Sequence, residues 1–166
     1  MARWLSAFRR YGLLLAFYSA MSINICSKPA YAIIEDDPSA DIARDEKFMA
    51  AERLVKERQY AEAIPLLQQV LARDPGNADA YNYLAFSQRK VGLFQEALHN
   101  YLRALDLDPD HIGAREYLGE LYLQLNQDDK AEEQLARLKV LCPLGCEARE
   151  DLARAIEESR RRRGGI

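Results

Sequence analysis

Histidine is scarce: the 166 residues hold two, His99 and His111, in separate elements with no serine, aspartate or cysteine arranged around either as a catalytic set. Cysteine is nearly as rare. Of the three, Cys26 stands alone, and Cys142 and Cys146 flank Pro-Leu-Gly. That C-x3-C spacing lacks the C-x2-C of zinc sites and the following histidine of a c-type haem attachment. Asp106-Leu107-Asp108-Pro109-Asp110 opens like a calcium loop, but His111 stands where glycine is required and Tyr117 where the closing glutamate belongs. The adjacent acids Glu132 and Glu133, and Glu157 and Glu158, point apart on a helix and form no acid-base couple. These gaps predict a protein that is not an enzyme and uses neither metal nor cofactor, with both histidines at the surface.

Acidic residues are missing from the first 32 positions. The basic head MARWLSAFRR, the apolar stretch Tyr11 to Ser27 and the small-x-small ending Ala30-Tyr31-Ala32 read as a secretory signal peptide over residues 1–32, cut after Ala32. The apolar stretch, interrupted by Ser19, Ser22 and Asn24, is at the short limit of a membrane span of about 17 to 25 residues, so an uncleaved anchor is the alternative. Arg9 and Arg10 are followed by Gly12 where a twin-arginine signal carries an apolar residue, which favours general secretion. Removing these residues takes Arg3, Arg9, Arg10 and Lys28, leaving 19 Lys and Arg against 26 Asp and Glu, a net charge of −7. A surface that acidic does not neutralise phosphates, so no nucleic-acid partner is expected. The expectation is a periplasmic or otherwise exported protein with no stable membrane span after cleavage. Residues 33–43, with Pro38 among acids, read as a flexible lead-in, and the basic tail 160–166 as a solvated end.

The rest of the chain has an internal period, which takes precedence over local patterns. Pro75, Pro109 and Pro143 are 34 residues apart. Twelve before each stands Ala63, Ala97 or Ala131, and twelve before those Ala51, Ala85 or Gly119. Two antiparallel helices approach closely only where neither carries bulk, so each unit reads as a helical hairpin. Between the small positions lie Arg58, Gly92 and Asn126, where Gly and Asn suit the left-handed end of a helix. Tyr81, Leu84, Ala85 and Gln88 mark one amphipathic helix, and Ala97, Tyr101, Ala104 and Leu105 the next. The Asp-Pro step ends it, because proline disfavours helical geometry in the residue before it.

On these residues the chain resembles the tetratricopeptide repeat (TPR) family over 44–145. The second unit carries Tyr81, Leu84, Ala97, Tyr101, Ala104 and Pro109 of the family pattern, and the third Leu118, Gly119, Tyr122, Ala131 and Pro143. The first departs from it, with Lys47 and Ala50 in place of larger apolar residues, as a terminal unit facing water does. The resemblance implies an all-α fold, an α-solenoid of three hairpins over 44–77, 78–111 and 112–145, plus a C-terminal capping helix over 146–159. Leu152 and Ile156 are expected to cover Leu135 and Leu138.

The family's first helices line a concave groove. Carried over by register, the lining is Asp45, Phe48, Glu52, Val55 and Lys56 in the first unit, and Asp79, Asn82, Phe86, Arg89 and Lys90 in the second. The third gives Glu116, Glu120, Leu123 and Gln124. Phe48 and Phe86 are candidate anchors for a protein or peptide partner, or else pack on a neighbouring hairpin. Asn82 is a candidate for bonding an extended peptide backbone. The family's carboxylate-clamp positions hold Phe48, Glu52, Tyr83, Gly113 and Tyr117, none of them basic, which disfavours a chaperone terminus as partner. An exported chain whose Cys26 has been removed keeps one even pair, so a Cys142–Cys146 disulfide is the leading reading; free thiols, or redox or metal chemistry, are the alternatives. The function read from the sequence is an interaction scaffold in an envelope complex, with a cysteine-dependent redox or metal-handling factor as runner-up.

Overall fold

The computed structural model describes residues 38–164, with side chains from residue 46; the expected signal peptide and its cleavage site lie outside the described residues. The described chain is seven helices: α1 (Pro38–Lys56), α2 (Tyr60–Arg73), α3 (Ala78–Lys90), α4 (Phe94–Leu107), α5 (Ile112–Gln124), α6 (Asp128–Leu141) and α7 (Glu147–Gly164). Three hairpins, α1/α2, α3/α4 and α5/α6, stack in sequence order and α7 closes the stack against α5 and α6. This is the all-α solenoid with a terminal helix.

Each hairpin turns on a residue with positive φ: Arg58 (62°), Gly92 (86°) and Asn126 (58°). The small positions are buried: Ala51, Ala63, Ala85, Ala97 and Ala131 are all 0% exposed, and Gly119 lies against Leu152 of α7. Between hairpins the Asp-Pro steps act as read. Asp108 is extended (φ −131°, ψ 94°), as a residue before proline must be. Asp74 and Asp108 accept hydrogen bonds through Oδ1 from the N–H groups of Gly76 and Asp110. The next helix is then capped by a side chain: Asn77 Oδ1 accepts from the Ala80 N–H at 2.8 Å, and His111 Nδ1 from that of Ala114 at 3.3 Å.

Three expectations change. His111 is not a solvated surface residue: its ring caps α5, its Nε2 lies 3.1 Å from Asp79 Oδ1, and the side chain is 12% exposed. Helix α1 begins at Pro38, inside the segment read as an unstructured lead-in, because proline suits the first helical position, where no N–H donor is needed. Helix α7 runs to Gly164 and not to 159, so the arginine run is its final turn, where cations complement the helix dipole. Arg160 and Arg163 reach back to Glu132 and Asp128 of α6, so the tail is held to the fold at these two points.

The core falls into two clusters. One holds Ala51, Val55, Ala63, Leu67, Val70, Ala80 and Leu84; the other runs from Ala85, Ala97 and Tyr101 to Leu152 and Ile156. Leu135, Leu138, Leu152 and Ile156 share the second cluster, so α7 covers α6 as expected. Phe86 packs against both clusters and joins them.

Candidate functional site

Helix α1 contacts α3, and α3 contacts α5, whereas α2, α4 and α6 make no such contacts with one another. Drawing the first helices together while the second helices splay makes the α1/α3/α5 side the inner, concave one. The inner side is aromatic. Phe48 meets Tyr83 edge-on at 5.8 Å between ring centroids, Tyr60 meets Phe86 likewise at 5.8 Å, and Phe86 and Tyr117 tilt together at 4.7 Å. All five rings are partly exposed. The row crosses all three hairpins. Arg89 and Lys90 add positive charge over the Phe86 ring, at 5.4 and 4.9 Å from its centroid.

The polar groups differ from one end to the other. At the first hairpin, Tyr83 donates its hydroxyl proton to Glu52 Oε1 at 3.0 Å, and Lys56 Nζ lies 3.1 Å from the same oxygen. Lys56 and then Tyr83 stabilise the ionised Glu52 and hold its pKa low. Burial, then the bond to Glu52, pushes Tyr83 up to about 12. At the third hairpin the acids lack such company. Glu116 is pushed up to about 7, first by burial and then by Glu120, Asp151 and Glu147. It borders a cavity of about 370 Å³ whose charged lining, Glu116, Glu147 and Asp151, is entirely negative.

The structure brings the expected groove residues to one side but at different depths. Phe48, Glu52, Phe86, Glu116 and Glu120 are partly exposed and Lys56 is open to solvent. Val55, at 8%, belongs to the core. Asn82 and Arg89 are only 5% and 4% exposed, so neither offers the open contact expected. Asn82 is covered because Gly113 lets α5 approach: a Cβ there would lie 3.4 Å from Asn82 Nδ2. Tyr60 was missed because it begins the second helix of its hairpin, which the groove register leaves out. Tyr83 and Tyr117 entered only as non-basic clamp positions, although their 34-residue spacing places two rings on adjacent first helices. Cys142 and Cys146 are brought together at the bend into α7, with Cα atoms 5.8 Å apart, a span that a disulfide bridges. No helix among the described residues is long and apolar enough to cross a membrane.

The comparisons agree with this architecture. A tetratricopeptide repeat family model matches residues 54–98 and 88–139, more than half of the chain. Protein FlbA of Caulobacter vibrioides is 31% identical over 127 residues, which are 76% of this chain and 21% of that protein. Hsp70-Hsp90 organizing protein 1 of Glycine max is 29% identical over 98 residues, 59% of this chain and 16% of that one. The chain thus spans about a fifth or less of the curated relatives it matches. Among solved structures, MamA 41-end from Desulfovibrio magneticus RS-1 superposes with a TM-score of 0.55 at 26% identity, covering 57% of this chain and 54% of that one.

Proposed function

The chain belongs to the tetratricopeptide repeat family, and from that premise we propose that it is an exported, non-catalytic scaffold that holds a peptide or protein partner on its concave face within an envelope complex. The observation that carries the reading is the row of partly exposed rings, Phe48, Tyr83, Phe86 and Tyr117, along the inner helices. Aromatic side chains give large contact area at little entropic cost, which is why binding hot spots favour them. The name of the soybean relative, an organizing protein for two chaperones, supports partner binding as the general role. The non-basic clamp positions argue against a chaperone terminus as the partner here.

Export rests on the N-terminal pattern of residues 1–32, and in an oxidising compartment Cys142 and Cys146 form a structural disulfide. Against the redox runner-up stands the burial of Cys142, 8% exposed, although Cys146 is partly exposed at the entry to α7.

The test is a photocrosslinking residue, p-benzoylphenylalanine, placed at Phe48 on the inner side or at Leu102, which is 44% exposed on α4. The partner is expected to be captured from position 48 and not from 102; the reverse pattern defeats the reading. Intact-mass analysis of exported protein tests the rest. A mass retaining residues 1–32 would overturn the cleaved-signal assignment.

A further inference from the structure

Three bends join one helical unit to the next, and in the 34-residue register they begin at Asp74, Asp108 and Cys142. The first two are braced by polar side chains. Asp74 and Asp108 each accept a hydrogen bond from the backbone N–H two residues on, and Asn77 and His111 cap the helix that follows. The third bend holds different residues at both places. Cys142 stands in the register of the aspartates, and Gly145, whose φ of 102° favours glycine, stands in that of Asn77 and His111 and has no side chain to cap with. In their place Cys142 is bonded to Cys146, the residue that leads into α7. One bend of the three is thus fastened by a bond that a reductant breaks.

That bond holds down the first turn of α7. Cys146, Glu147 and Asp151 wall the acidic cavity on one side, with Glu116 and Tyr117 of α5 on the other. The turn has little else to seat it. Its buried residue is Ala148, a single methyl group, whereas the later turns are anchored by Leu152 and Ile156 in the core and by the ion pairs of Arg160 and Arg163. Without the disulfide, Arg149 ties the turn to the bend by hydrogen bonds to the Cys142 and Pro143 carbonyls, at 2.9 and 3.4 Å. Charge acts against the seat. No cation lines the cavity; Arg154 meets Asp151 at 3.0 Å, which leaves Glu116 and Glu147 without an ion pair among the described residues. Burial, then Glu120, Asp151 and Glu147, raise the pKa of Glu116 against the opposing pull of Arg89, so like charges face each other where the bond draws the turn in.

We propose that Cys142–Cys146 is a redox latch on the end of the inner face. Oxidised, it seats the first turn of α7 beside Tyr117; reduced, it lets that turn lift and opens the groove at the third-hairpin end of the aromatic row. The reductant is a dithiol. Its thiolate attacks Sγ of Cys146, the more exposed of the two, Cys142 leaves as a thiolate, and the second thiol of the reductant then releases Cys146. Two electrons and two protons pass to the pair, and the reductant departs as a disulfide. The cysteines in this role govern access to the proposed partner site and process no substrate. The inference rests on the disulfide and on the inner face as the binding side.

The test is NMR relaxation of the full chain, oxidised and after reduction by dithiothreitol. Backbone order parameters over Glu147 to Asp151 are expected to fall on reduction from the rigid-helix value of about 0.85 to below about 0.6, while Leu152 to Ser159 stay rigid. Relaxation of the Tyr117 ring protons by a soluble nitroxide is expected to rise in the same sample. The double variant Cys142→Ser/Cys146→Ser should match the reduced chain with or without dithiothreitol. Order parameters that do not change on reduction would overturn the latch, as would a loss of order along the whole of α7, which would make the bond a general staple of the cap. Two free thiols in protein taken from its own envelope would defeat the disulfide and the latch together. Failure of partner capture at position 48, with the first turn of α7 responding to reductant, would defeat the concave-face reading and leave the latch standing.

Discussion

Gly119→Ala, the addition of one methyl group, tests how α7 is held. The alanine Cβ would lie 2.5 and 2.6 Å from the two Cδ atoms of Leu152 and 3.2 Å from its Cγ. Both branches of the leucine straddle the glycine, and Leu152 is 0% exposed within the second core cluster, so no rotation frees both. Overpacking of this kind costs about 1 to 3 kcal/mol. Against it stands the helix propensity of alanine over glycine in the interior of α5, about 1 kcal/mol in the opposite direction. The net expectation is destabilisation of up to about 2 kcal/mol, read as a lower urea midpoint of unfolding.

The decisive measurement is the same substitution in a Leu152→Ala background. Leu152→Ala alone opens a cavity and costs about 2 to 5 kcal/mol. It also removes the atoms that the new methyl group strikes, so only the propensity gain remains and Gly119→Ala becomes stabilising by about 1 kcal/mol. The sign of the effect reverses. Equal shifts in both backgrounds would refute the packing account, because they would locate the cost of the methyl group somewhere other than the α5–α7 contact.

The left-handed turns make a second prediction: Gly92→Ala destabilises by about 1 kcal/mol although its Cβ meets nothing within 4 Å, and Arg58→Gly stabilises by a similar amount, both read from urea midpoints. Glu116 makes a third. Its carboxyl is raised from 4.5 to about 7, so the fold holds that proton more tightly than the unfolded chain does; the contribution of Glu116 to stability is full below pH 4.5 and declines as pH rises towards 7. In Glu116→Gln that decline should be shallower, and parallel profiles would refute the assignment. Fourth, denaturing alkylation of protein from its own envelope is expected to label neither Cys142 nor Cys146 until reductant is added; two labels without reductant would refute the disulfide.

Backbone features were legible wherever the 34-residue period repeats a steric demand. Arg58, Gly92 and Asn126 share a turn whose φ is positive, and the alanines spaced twelve apart are fully buried, so their spacing alone located the hairpins. Depth was not legible. The register places Asn82 and Phe86 on one side of α3, but whether each is open depends on how near the next hairpin comes. Gly113 brings α5 close to Asn82, whereas Phe86 meets the Tyr117 ring at 4.7 Å between centroids and stays partly exposed. Those distances are set by residues a whole repeat away.

The same limit explains why the arginine run was read as a loose end. From sequence it is a short basic tail beyond a helix. In three dimensions α7 carries Arg160 and Arg163 alongside the start of α6, where Glu132 and Asp128 meet them. Exposed pairs such as these contribute little individually. Their geometric effect is larger, because they hold the last turn of α7 near α5, where Arg162 and Arg163 wall a cavity of about 370 Å³. Arg89 lies at the inner boundary of that cavity, 5.9 Å from the centroid of Tyr117 in the aromatic row. The helix that caps the hydrophobic core thus also encloses that cavity, so losing the Leu152 contact should loosen both together.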